Sequence, residues 1–130
     1  MRPMAITRIL IVDDSAIFRE GLRTILEDHI DWHVCGEAEN GMEAVEKSRL
    51  LVPDLIVMDL SMPYMTGIEA AYEIFREFPK IPILLLTLYL TQQLAEEASK
   101  TGIRATLSKS DMDRLIDGIE TILRGDQRPS

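Results

Sequence analysis

The segment DLIVMDLSMPYMTG, residues 54–67, places one carboxylate, Asp59, at the end of an apolar run and follows it at once with Ser, Pro and Gly. Residues 55–58 are apolar on consecutive positions, the pattern of a strand covered on both faces, and such strands pair in parallel. In an open parallel sheet, ligands collect outside the carboxyl ends of the strands, where the strand order reverses. Asp59 is expected at such an end. A lone acid there is more often a turn residue or a helix cap, so its meaning depends on what the other strands bring to the same edge.

Outward from this segment, apolar runs at residues 9–12, 32–36, 81–86 and, weakly, 105–107 alternate with stretches of helical period. Phe18, Leu22, Ile25 and Leu26 form one helical stripe, and Ile68, Ala71, Tyr72, Phe75 and Phe78 form another. Met112, Leu115, Ile116, Ile119 and Leu123 form a third. Ser15, Thr66 and Asp111 are placed as N-caps, and Pro79 and Gly102 as stop signals. The reading is five βα units in order, an α/β chain with one five-stranded, doubly wound parallel sheet, because right-handed crossovers lay helices on both faces.

With 130 residues, 46% hydrophobic and 28% charged, the chain is the size of one globular domain with a substantial core. A net charge of −8 and no run of Lys and Arg make it a poor nucleic-acid surface, so any DNA contact is expected to come from elsewhere. The single cysteine, Cys35, excludes an intramolecular disulfide and fits a reducing compartment. His29 and His33 lack the neighbouring Cys or His of a soft-metal site and read as structural or surface residues. Residues 1–5 are too short for a signal peptide, and the most apolar run, residues 81–90, falls far below the roughly 20 residues that cross a bilayer. The expected location is cytoplasmic, without membrane contact.

The first strand ends in Asp13 and Asp14 as the third ends in Asp59, so if these strands are neighbours the three acids share a crevice. Two carboxylates about 4 Å apart repel by roughly 4 kcal/mol at an effective dielectric near 20, a cost that calls for a cation. An all-oxygen acidic site suits a hard ion, Mg²⁺ above others. The fourth strand ends in Thr87, a hydroxyl donor, and the fifth in Lys109, an ammonium. Each is ordinary by itself; at one sheet edge they would surround an anion held beside Asp59.

This constellation resembles the receiver domains of bacterial two-component response regulators over residues 6–124. The motifs are the acidic pair in ILIVDDS, the segment VMDLSMPYMTG, the strand end LLLT and the lysine in LSK, in the family's order and approximate spacing. More narrowly, FREGLRTIL, CGEAENGMEAVE and LLLTLY are similar to the LuxR/NarL group, whose members usually join a receiver to a helix-turn-helix DNA-binding domain. The resemblance implies a flavodoxin-like (βα)5 fold for residues 1–124, with residues 125–130 as a linker-like tail. It implies a phosphoacceptor that takes a phosphoryl group from a sensor histidine kinase on Asp59 and controls output, expected to be transcription. Such a domain is a signalling module, not an enzyme, and catalyses only its own phosphorylation and dephosphorylation. Asp13 and Asp14 would hold Mg²⁺, Asp14 and Asp59 more directly, with the backbone carbonyl of Ser61 as a further ligand. Lys109 would pair with the phosphoryl group and Thr87 would hydrogen-bond to it. Homodimerisation on phosphorylation is expected, and DNA contact only through an output domain absent from this chain. Pro63 and Gly67 would shape the loop after the nucleophile, Pro by fixing φ and Gly by tolerating unusual φ.

Two positions depart from the family. The residue three before the lysine is commonly aromatic and changes rotamer as the threonine moves; here it is Thr106. The residue after the lysine is Ser110, where many receivers have proline. The missing aromatic keeps an alternative open, a receiver-like module that dimerises or binds a partner without phosphorylation, against which the complete set of Asp13, Asp14, Asp59, Thr87 and Lys109 argues. A small-molecule phosphatase with an aspartyl nucleophile would want an acid two residues later, and Ser61 cannot serve as one. Ser61 and Tyr89 are also the positions at which the family governs water access to the phosphoryl group, and neither is suited to hold an attacking water.

Overall fold

The computed structural model describes residues 5–125. Strands β1 (Thr7–Val12), β2 (Trp32–Ala38), β3 (Leu55–Asp59), β4 (Ile83–Thr87) and β5 (Ile103–Ser108) alternate with helices α1 (Ala16–Glu27), α2 (Gly41–Leu51), α3 (Gly67–Glu77), α4 (Gln92–Ser99) and α5 (Leu115–Leu123), the last preceded by a 3-10 segment, Lys109–Arg114. The strands form one parallel sheet in the order β2-β1-β3-β4-β5. The chain runs from β1 outward to β2, returns past it to β3 and continues to β4 and β5. The order therefore reverses between β1 and β3, which makes them neighbours and their carboxyl ends the switch point of the sheet.

Every residue of β3 and β4 is buried, as the uninterrupted apolar runs predict. Alternate side chains feed opposite layers. Leu10, Val12, Ile56, Met58, Ile83 and Leu85 pack with Ala44, Ala70, Ala71, Ile74 and Ala98 of α2, α3 and α4. Ile9, Ile11, Leu55, Val57, Leu84 and Leu86 pack with Leu22, Leu26, Leu115, Ile119 and Ile122 of α1 and α5. Each fully buried Leu or Ile contributes about 1.5–3 kcal/mol of transfer free energy, so these two layers supply most of the fold's driving force.

Ser15 caps α1 through its side chain, and Thr66 caps α3 in a reciprocal box with Glu69. Three expectations need correction. Asp111 is not the N-cap of α5: it lies in the 3-10 segment at non-helical φ −116° and ψ 40°, Ser108 caps that segment, and Arg114 precedes α5 with no side-chain cap hydrogen bond. Ile25, Tyr72 and Phe75 lie outside the buried stripes, because α3 meets the sheet through the smaller Gly67, Ala70, Ala71 and Ile74, and α1 through Leu22 and Leu26. The fourth strand begins at Ile83 and not at residue 81, since Pro82 has no N–H for the ladder. Gly102 does terminate α4's exit turn: it holds φ +86°, and a Cβ there would lie 2.3 Å from the Phe75 ring. Helix α5 ends at Leu123, and residues 126–130 of the expected tail lie outside the described residues.

Candidate functional site

The site is assembled by four strand ends. Asp13 follows β1, and its N–H extends the sheet pairing by donating to the Ala38 carbonyl at 3.0 Å, which fixes the backbone that carries the carboxylate. Asp59 is the last residue of β3, opposite Leu86 of β4. Asp13 and Asp59 are 1% and 5% exposed, whereas Asp14 faces solvent. One oxygen from each of Asp13, Asp14 and Asp59 falls within 4.8 Å of the others, so the crevice expected from neighbouring strands is present. Three hard oxygen donors at that spacing fit a divalent cation of the Mg²⁺ type.

Lys109, the residue after β5, supplies a cation from the protein itself. Its Nζ donates to Asp13 Oδ2 at 2.8 Å and pairs with Asp59 Oδ1 at 3.1 Å, with only 14% of the side chain exposed. Burial acts to lower the Lys109 pKa, but hydrogen bonds and charge from Asp13 and Asp59 outweigh it and hold the ammonium above its ordinary value. Asp59 moves the other way from a typical ion-paired acid. Burial and the neighbouring Asp13 charge raise its pKa, and Lys109 offsets only part of that. Asp59 is thus an acid whose charged form the fold leaves under-compensated, and an added cation would favour it.

The second oxygen of Asp13 is engaged as well: Oδ1 accepts the Ser15 N–H at 2.8 Å. Ser15 Oγ in turn accepts the Phe18 N–H at 3.1 Å as the cap of α1. The Phe18 ring lies under Lys109, with Nζ 4.1 Å from its centroid. Arg19 fastens the same corner, donating from Nη1 to the Asp13 carbonyl at 2.6 Å and from Nε to Glu37 at 2.8 Å, while Arg23 holds the other oxygen of Glu37 at 2.8 Å. The Arg23 and Arg19 guanidiniums hold Glu37 below the usual carboxylate range against its partial burial.

Thr87 ends β4 with 5% exposure. Its Oγ1 accepts the Tyr89 N–H at 3.4 Å, which leaves the hydroxyl proton to donate elsewhere. Tyr89 itself, with Leu88 and Leu90, is exposed, and its ring does not cover the site. Ser61 lies exposed in the loop after β3. In that loop Tyr64 adopts φ +70°, and the Met65 N–H donates to the Pro63 carbonyl at 2.8 Å, a γ-turn in which the strained residue is a tyrosine. Gly67 is required for a different reason from the one expected. Among the described residues the glycines with positive φ are Gly102 and Gly125; at Gly67 a Cβ would lie 2.3 Å from the Asp59 carbonyl oxygen. The first turn of α3 packs directly on the backbone of Asp59.

The edge of the sheet therefore brings together Asp13, Asp14, Asp59 and Lys109, with Thr87 on the adjoining strand end and Ser61 in the loop beyond. Phe18, Arg19 and Glu37 are additions. Phe18 reads in the sequence as a core-stripe residue, and no local spacing pairs Arg19 with Glu37 across 18 residues.

The chain matches the family model for the response regulator receiver domain over residues 9–120. It is 39% identical over 119 residues to the transcriptional regulatory protein YdfI of Bacillus subtilis, covering 91% of this chain and 55% of that protein. It is 33% identical over 119 residues to the transcriptional regulatory protein DegU of Brevibacillus brevis, covering 91% and 50%. The chain thus spans about half the length of these curated relatives. A solved two-component response regulator of the LuxR family from Aurantimonas sp. SI85-9A1 superposes with a TM-score of 0.90 at 36% identity, covering 93% of this chain and 87% of that one.

Proposed function

This chain belongs to the response regulator receiver family, a signalling module of two-component systems, and on that premise we propose that Asp59 is its phosphoacceptor. The observation that carries the assignment is the ammonium of Lys109 held between Asp13 and Asp59, at the point where strand order reverses. An oxygen of Asp59 attacks the phosphorus of a phosphohistidine on a sensor histidine kinase. The O–P bond forms as the N–P bond breaks, and the electron pair returns to the imidazole. Phosphoryl transfer asks for positioning and charge neutralisation more than covalent assistance. Lys109 pairs with one phosphoryl oxygen, and the Thr87 hydroxyl, which already accepts from Tyr89, donates to another. Asp13, Asp14 and Asp59, with the backbone carbonyl of Ser61, are the residues that would hold Mg²⁺. The ion, when bound, neutralises charge on the transferring group.

In this reading the module catalyses only its own phosphorylation and dephosphorylation. Residues 1–124 form the receiver, with residues 125–130 as a linker-like tail. Its output is control of transcription through a DNA-binding domain outside this chain, with homodimerisation on phosphorylation. We place it in the cytoplasm; no helix among the described residues is long and apolar enough to cross a membrane.

Acetyl phosphate with Mg²⁺, read by intact mass, tests the assignment. The wild type gains one phosphoryl group, Asp59→Asn gains none, and EDTA stops the reaction. Equal labelling of Asp59→Asn would move the phosphoacceptor elsewhere.

A further inference from the structure

Four contacts close a ring around the start of α1. Ser15 N–H donates to Asp13 Oδ1, Phe18 N–H to Ser15 Oγ, the Phe18 ring receives the Lys109 ammonium, and Lys109 returns to Asp13 Oδ2. Phe18 is thus tied by its backbone to the acidic loop and by its ring to the lysine. We propose that Phe18 is a positioning residue for the phosphoryl transfer, its aromatic face holding Lys109 Nζ in place between the carboxylates. This rests on the phosphoacceptor reading for its consequence, but the positioning itself is a property of the unphosphorylated protein.

A lysine on a four-carbon stem has many rotamers, and two carboxylates on one side do not restrain it from swinging outward into water. The ring restrains it on the α1 side, because the negative face of an aromatic quadrupole attracts an ammonium without neutralising it or consuming an oxygen ligand. That distinction matters chemically. A third carboxylate would hold the lysine equally well but would compete with the arriving phosphoryl oxygens for the positive charge and add repulsion. The ring leaves the full charge available to the phosphoryl group. Aliphatic packing would exclude water from the same place but would not hold the cation.

Phe18→Leu keeps the apolar contact with the α1 and α5 layer and removes the aromatic face; Phe18→Tyr retains the face. Two readouts are taken on each protein. The first is the Lys109 Hε resonance in the unphosphorylated state, which a ring 4.1 Å from Nζ shifts upfield. The second is the acetyl phosphate reaction at saturating Mg²⁺, resolved into maximal rate and half-saturating donor concentration, with Mg²⁺ affinity measured separately. The expected result is an upfield Lys109 resonance in wild type and Phe18→Tyr that is lost in Phe18→Leu. The maximal rate then falls about tenfold in Phe18→Leu alone, at unchanged Mg²⁺ affinity. Equal rates in wild type and Phe18→Leu overturn the proposal, and so does an equal loss in both variants, which would make Phe18 a packing residue. Should the wild type take up no phosphoryl group, the phosphoacceptor reading fails by itself. The resonance then decides the positioning: shifted in the two aromatic proteins it is upheld, and identical in all three it is overturned.

Discussion

Lys109 and Asp13, 96 residues apart in the chain, meet at 2.8 Å in the deepest corner of the site, closer than Lys109 comes to Asp59 at 3.1 Å. Both oxygens of Asp13 are then occupied, one by this ammonium and one by the Ser15 N–H. A divalent cation entering the cluster competes with Lys109 for Asp13, while the exposed Asp14 is open to it.

Removing the ammonium should therefore be costly. Lys109→Met leaves two buried carboxylates without their protein cation and is expected to lower stability at pH 7 by about 3 kcal/mol. The Lys109 pKa is raised, so its contribution is complete below the ordinary lysine value and is lost only as pH rises through the folded one; pH 7 lies within the full window. The cost should shrink as pH falls and Asp59, whose pKa burial and the Asp13 charge raise, takes up its proton. Urea unfolding of both proteins at pH 7 and pH 4 checks this, and a penalty of the same size at both would contradict it.

Mg²⁺ should raise the thermal midpoint of the wild type, because an ion bound only by the native cluster stabilises it by RT ln(1 + [Mg²⁺]/Kd). At a hundredfold excess over Kd this is about 2.7 kcal/mol. Asp14→Ala should abolish the response and, by relieving repulsion, cost nothing in metal-free buffer. A midpoint flat across millimolar Mg²⁺ would argue against a metal site at these acids.

Asp59→Asn should be more stable than wild type at neutral pH, by on the order of 1 kcal/mol or a few degrees in midpoint. Burial first, then the Asp13 charge, raises the Asp59 pKa, so its ionised form opposes folding. The sign follows: an acid with a raised folded pKa imposes no penalty below the unfolded value and its full penalty above the folded one. The advantage of the variant should accordingly fade as pH drops toward 4. Calorimetry in metal-free buffer measures it, and a variant less stable than wild type at pH 7 would show that pairing with Lys109 outweighs burial.

Tyr64→Gly should stabilise the protein by about 1 kcal/mol. The γ-turn holds Tyr64 at φ +70° with the residue 90% exposed, so glycine removes strain and little packing. The larger unfolded-state entropy of glycine subtracts part of that gain. Denaturant midpoints of the two proteins decide the sign.

The sequence by itself determined the five βα units, the parallel sheet and the five polar residues at its carboxyl edge. These are legible because apolar runs, helical periods and strand ends are local features, and because the topology of right-handed crossovers sends every parallel strand end to one side. It also announced the caps at Ser15 and Thr66, whose signal lies within one turn of helix. Only the tertiary structure decided which partners those residues take. Lys109 favours Asp13, Phe18 lies under the lysine while still packing on the α1 and α5 layer, and Arg19 of α1 reaches Glu37 of β2, because each contact depends on the register of elements distant in the chain. Gly67 makes the point most plainly: a glycine after Pro63 reads as freedom in φ, yet the position is glycine because α3 packs 2.3 Å, at a would-be Cβ, from the carbonyl of Asp59. Asp111 has the composition of an N-cap and sits instead at a kink, because the chain leaving Lys109 must first turn through a 3-10 segment before α5 can pack on the sheet. Local chemistry chose the elements, and the distances between them, which no local pattern encodes, chose the site's contacts.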